Sequence, residues 1–266
     1  MKYLEQLKHY FYVYRKFVST SIAVNTSFRT SFVLLIVMDF ITFLTTIYSI
    51  DFIYNHIETI GPWGRNELLF FALFMLTIDN LHMILFSESF WALSFDIKSG
   101  ALDFTILKPM NTIFSVFFRY FRPSSCVLTP LYLFYLIKYG NLVGLGAIDW
   151  LLLPLFIFGG LTILVLIEFC FCSAMFWVTE GIGINFLRLQ LQQLSRWPNF
   201  IYAPLARKFL TIAVPITLIG SAPVHFLLDK NKYQLLLLMP IMILILTVIL
   251  NYVWSKGLRR YDSASS

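Results

Sequence analysis

LLLLMPIMILILTVILNYVW, residues Leu235–Trp254, runs for 20 residues without a single charged side chain. A helix needs roughly 20 apolar residues to cross about 30 Å of hydrocarbon, because every backbone N–H and C=O must find its partner inside the segment. Five more stretches approach that length: Phe32–Tyr54, Leu68–Phe90, Val116–Tyr139, Trp150–Val178 and Phe209–Leu228. The spacing therefore predicts an all-α polytopic membrane protein of about six transmembrane helices, forming one transmembrane domain over residues 1–266. Pro154 and Gly159-Gly160 allow a kink in the fourth stretch. Pro215 and Pro223 allow the fifth to break or re-enter, leaving five spans and a re-entrant hairpin as the alternative.

Composition agrees. Hydrophobic residues make up 59% of the chain and charged residues 13%, whereas soluble domains carry about 25% charged residues. Mean hydropathy is +0.77. The 28 Phe, 14 Tyr and 6 Trp suit lipid-facing surface and interfacial anchoring. A net charge of +6 could suggest nucleic acid, but the basic residues are scattered between apolar stretches rather than gathered on one face, so no nucleic-acid partner is expected. Cys126, Cys170 and Cys172 all lie in apolar segments and offer neither a disulfide framework nor paired zinc ligands.

With the N-terminus inside, 16 of the 20 Lys and Arg fall in inner segments, and only Arg65, Lys138, Lys230 and Lys232 fall outside. Lys and Arg are retained on the cytoplasmic side, so both termini are expected there, in a plasma membrane. Residues 1–27 carry Leu4, Leu7, Phe11, Tyr14 and Val18 at three- and four-residue steps, the pattern of a helix lying in the inner headgroup region against membrane lipid. Met1 to Phe17 mixes five charges into its apolar positions and forms no signal-peptide core, so it is expected to stay attached. Residues 255–266 form a short tail on the same side.

The chain has no Gly-x-x-x-x-Gly-Lys-Ser/Thr phosphate loop, no His-Glu-x-x-His, no Gly-x-Ser-x-Gly and no aspartate cluster for magnesium. No catalytic residue, metal site or bound cofactor is expected on this chain. The informative inner segment is residues 91–112. Within it Leu102 and Ile106 share one helical face, and Lys108-Pro109 stops the helix. Gly100 can open the turn that starts it.

The stretch IKSGALDFTILKPMN, residues 97–111, resembles the basic-x-Gly-x-Leu-Asp and Leu-basic-Pro-x-Asn signature of type-2 ATP-binding-cassette permeases, which are exporters in most cases. RWPNFIYAPLARKFLTIAVPITLIGSAP, residues 196–223, and the terminal GLRRYDSASS resemble the same family in the same order. The resemblance implies a permease that pairs with a second permease, identical or paralogous, and with separate cytoplasmic ATPase subunits carrying the ATP and magnesium. It also implies that the 91–112 loop is a coupling helix docking on the ATPase through Lys98, Gly100, Leu102, Asp103, Leu107, Lys108 and Pro109. Bacterial origin follows from the same resemblance.

Asp39, Asp79, His82, Glu88 and Glu168 fall within or at the ends of predicted spans, where a carboxylate at mid-bilayer costs at least about 2.5 kcal/mol unless paired or wet. Asp79 and His82, three residues apart, share a face and can pair or meet a cationic substrate together. Asp39, Asp79, His82 and Glu168 are thus candidates for the substrate pathway, against the plainer role of holding helices together. Two other functions remain open on the residues alone. One is a carrier or channel driven by an ion gradient, using the intramembrane carboxylates as ion sites. The other is a lipid enzyme with Asp79 and His82 as acid and base.

Overall fold

The computed structural model describes residues 2–178 and 181–261, and among them there is no strand. The first helix, α1 (Lys2–Ser27), turns at Phe28 into α2 (Arg29–Tyr54). A short turn leads to α3 (Arg65–Leu85), which breaks at Phe86 and continues as α4 (Ser87–Ser99). Then come the small helices α5 (Leu102–Ile106), α6 (Thr112–Phe117) and α7 (Pro123–Cys126), followed by α8 (Thr129–Leu142) and the long α9 (Ala147–Ser173). After α9 the chain forms α10 (Ile182–Ser195), α11 (Pro204–Ile212), α12 (Ser221–Leu228) and α13 (Gln234–Arg260).

Among the described residues, four helices are long and apolar enough to cross a membrane: Arg29–Tyr54, Arg65–Leu85, Ala147–Trp177 and Lys230–Arg260. They match the first, second, fourth and sixth predicted stretches, and α9 runs through Pro154 without ending. The third and fifth stretches do not form single helices. At Val116–Tyr139, Arg119, Arg122 and Pro123 interrupt the pattern, and α8 is only 14 residues long, about 21 Å at 1.5 Å per residue. At Phe209–Leu228 the chain bends by 79° between Pro204–Ile212 and Ile216–Leu228, so the segment is a broken span or a re-entrant loop. Pro215 sits in the break, where its missing N–H ends the helical ladder.

Helix α3 is the centre of the molecule. Of its apolar window 83% is buried, with Leu69, Phe70, Phe71, Leu73, Phe74 and Ile78 fully enclosed by neighbouring helices. The packing between α9 and the broken segment is close: a Cβ on Gly160 would stand 2.3 Å from the Ile219 carbonyl oxygen, so no larger residue fits there. By contrast α2 buries only 6% of its apolar window within the chain, which leaves its surface to lipid or to a second protein.

Helix α10 is amphipathic in the inverted sense. Its buried residues are Ile184, Asn185, Arg188, Gln192 and Ser195, while Ile182, Phe186 and Leu187 are exposed. A polar face turned to protein and an apolar face turned outward suit a hydrocarbon solvent, in which the usual amphipathic arrangement reverses. This placement corrects the charge map. Arg188 and Arg196, expected in an inner loop, sit in the bundle against acidic partners on α9 and α3. Arg207 and Lys208 follow at the end of the bundle that holds the α2–α3 turn: Phe200 packs against Trp63 of that turn, and Arg207 donates to the Phe200 carbonyl.

Candidate functional site

The 91–112 segment sits at one end of the bundle. Gly100 has φ +74 and ends α4 in the left-handed conformation, so it terminates one helix as well as opening the next. Leu102 and Thr105 of α5 are buried, and Ile106 packs against the core. Asn111 caps α6: its side-chain oxygen accepts from the Phe114 N–H at 3.2 Å. Three more contacts seat the segment. The Tyr10 hydroxyl of α1 accepts from the Asn111 N–H at 3.0 Å, the Trp254 indole of α13 donates to Thr112 Oγ1 at 3.0 Å, and Arg119 pairs with Asp96 at 3.3 Å. Burial raises the Asp96 carboxyl pKa and Arg119 opposes the shift.

The last described residue, Tyr261, comes back to this end of the bundle. Burial, together with the Asp103 side chain beside it, pushes the Tyr261 phenol up to about 12. Two stretches about 150 residues apart in sequence, 97–111 and 257–261, therefore form one surface. The remainder of the terminal stretch lies outside the described residues.

Of the seven residues expected to dock on a partner, Lys98, Leu107, Lys108 and Pro109 are exposed, Asp103 is half-buried, and Gly100 and Leu102 are buried. Leu102 has no exposed surface at all, so its side chain anchors α5 and is not part of an accessible face. The outward apolar residue that the sequence reading lacked is Phe104, 75% exposed beside Leu107 at 81%. It occupies the opposite face of the helix from the Leu102–Ile106 pair and could have been found by asking which apolar residue falls off that stripe.

The intramembrane charges form separate pairs. Glu168 of α9 accepts from Arg188 of α10 at 3.0 Å through Oε1, and its Oε2 lies 2.5 Å from His82 Nε2 of α3. The Arg188 guanidinium stands over the Phe90 ring at 4.4 Å, and Asn185 donates to the Phe90 carbonyl at 3.2 Å, tying α10 to α4. Asp79 accepts from Gln192 at 3.0 Å, and its second oxygen lies 2.7 Å from Arg196 Nε. Asp39 of α2 pairs with Arg122 at 3.2 Å and accepts from Ser125 at 2.8 Å. Asp79 and His82 thus do not pair with each other: one turn of α3 sends them to two different partners. Arg122, Arg188, Gln192 and Arg196 are the participants that sequence reasoning missed. For Arg188 and Gln192 the signal was Asn185, Arg188, Gln192 and Ser195 at three- and four-residue steps between apolar residues.

Between α2, α3 and the chain following α10 lies a cavity of about 480 Å³. Thr42, Thr45, Thr46 and Ser49 line it from α2, and Gln193, Arg196 and Trp197 from the other side. Asp39, Asp79, His82 and Glu168 are not among its lining residues; Asp79 reaches it only through Arg196. Among the described residues, no group of three or more His, Cys, Asp or Glu could hold a metal ion.

Among curated proteins and among solved structures, none matches this chain. A family model described as ABC-2 family transporter protein does match, over residues 40–265. That match takes in α3, α9, α13, the C-terminal part of α2, the 97–111 segment and the Glu168–Arg188 and Asp79–Arg196 pairs, so the chain belongs to the ABC-2 family and is the membrane-spanning permease of an ABC transporter.

Proposed function

We propose that α4–α6 is the coupling element through which a separate cytoplasmic ATPase, carrying ATP and magnesium, drives this permease, and that transport runs outward. The carrying observation is the two-sided α5: Leu102 is wholly buried, while Phe104 and Leu107 project outward with the exposed Lys98 and Lys108 nearby. A helix anchored on one side and apolar on the other suits a protein cleft. A motor can shift a conformational equilibrium only if its contacts differ between the two states, so the element must transmit displacement as well as bind.

A route for that displacement is present. Helix α4 adjoins α5 and is tied through Phe90 to Arg188 and Asn185 of α10, and Arg188 is tied to Glu168 of α9. In this reading Glu168, His82 and Asp39 fix helix positions, and Asp79 holds Arg196 at the wall of the 480 Å³ cavity. A second permease, a copy or a paralogue, lies over α2 and completes the pathway along its threonine and serine stripe. An ion-gradient mechanism is less well supported, since Asp39, Asp79 and Glu168 each have an arginine partner.

The test is Phe104→Ala with Leu107→Ala in the purified complex. The expected result is loss of substrate-stimulated ATP hydrolysis with the permease still folded. Stimulation equal to that of the unaltered protein would refute the assignment of α5.

A further inference from the structure

The end of the bundle away from α5 holds a cavity of about 370 Å³ with both polar and apolar walls. Arg207, Lys232, His225, Asn199 and Asn231 line it, with Phe200 on one edge. Helices α3 and α13 start at this end and finish near α4–α6, which places the cavity opposite the coupling segment.

The Arg207 guanidinium has no carboxylate partner among the described residues. Its Nη2 donates to the Phe200 and Tyr202 carbonyls at 3.3 and 3.2 Å, and its buried Nε has no hydrogen-bond acceptor. Carbonyls orient the group without neutralising it. Lys232 is only loosely paired, 3.7 Å from Asp229. His225 Nε2 lies 2.9 Å from Asn199 Oδ1, fixing the wall between them. Arg207 and Lys232 thus both face the cavity, while the neighbouring Lys230 is paired with Asp149. Next to the cavity, α11 exposes Leu205, Phe209 and Ile212 in a stripe, so the site borders lipid.

We propose that this cavity binds an anionic oxygen-rich group of phosphate type through Arg207 and Lys232. The chemistry is a guanidinium whose Nε–H has no acceptor and a half-exposed ammonium, flanked by amides that can satisfy remaining oxygens. An anionic lipid headgroup and a free phosphate offer the same oxygens. The inference does not depend on the role of α5.

Trp63 provides the readout, its ring 4.7 Å from His225 and 4.9 Å from Phe200. The full chain in phosphatidylcholine nanodiscs is titrated with inorganic phosphate and, separately, with short-chain phosphatidylglycerol, and fluorescence is compared with a Trp63→Phe control. A saturable change that depends on Trp63 and weakens about ten-fold in Lys232→Gln and in Arg207→Gln, but only slightly in Arg207→Lys, supports the site. Response to phosphate alone identifies a soluble anion, response to the lipid alone a headgroup, and response to both a site open to either. No saturable change with either probe overturns the proposal, as does an unaltered response in Lys232→Gln, a variant at an exposed position that leaves the fold intact.

Discussion

Glu168 and Arg188 are each about 1% exposed, so each is a buried charge compensated by the other. Removing one member of a buried pair leaves an uncompensated charge and costs about 3–5 kcal/mol, whereas removing both at similar volume is close to neutral. Arg188→Met should therefore sharply lower the thermal unfolding midpoint in detergent, and Glu168→Gln combined with Arg188→Met should recover most of the loss. A double variant as unstable as the sum of the singles would mean that the two residues act independently. Gly100 presents a different case. At φ +74 a Cβ costs about 1–2 kcal/mol, so Gly100→Ala should loosen the α4–α5 corner, visible as faster amide exchange over residues 98–106 with the rest of the chain unchanged.

At the scale of the element, α5 and α10 each have two faces with different duties. Leu102→Asp would put a charge into a fully buried position and should reduce folded yield; Leu107→Asp, at 81% exposure, should leave yield unchanged and abolish ATPase docking in a pull-down. Equal effects from the two would mean that α5 has no separate partner face. For α10, spin labels attached after Phe186→Cys and Leu187→Cys should show the high oxygen accessibility of a lipid-facing site. The four long apolar helices were legible because each keeps a long apolar run that outweighs its few interruptions, such as Asp39, Asp79, Pro154 and Glu168. Helix α10 was not: Arg188, Gln192 and Arg196 look like an aqueous loop when read by polarity alone. Only pairing with Glu168 and Asp79, which are distant in sequence, makes that segment part of the bundle. The same holds for Phe209–Leu228, where length and hydropathy suggested a span and Pro215 produced a bend.

For the whole molecule, the 97–111 segment, proposed as the coupling element, is the part to which the structure adds most detail. Residues 97–111 were singled out for Gly100 and the Lys108-Pro109 stop; the structure adds the Asn111 cap, the Tyr10 and Trp254 contacts, and Tyr261 beside Asp103. Apart from the Asn111 cap, those additions come from α1 and from α13 and the residue that follows it, which no local pattern connects to α5. The resulting surface, built from both ends of the chain and its middle, is where the transporter's energy is proposed to enter. The most direct measurement is photocrosslinking from a probe that replaces Leu107 in the tagged chain, in its native membrane, with the adduct identified by mass spectrometry. The account predicts a covalent adduct with a soluble subunit that carries a phosphate-binding loop, reduced when Phe104 is changed to Asp. An intact, membrane-inserted chain whose probe at 107 reacts only with lipid, while the same ATPase co-purifies through another surface, would contradict it.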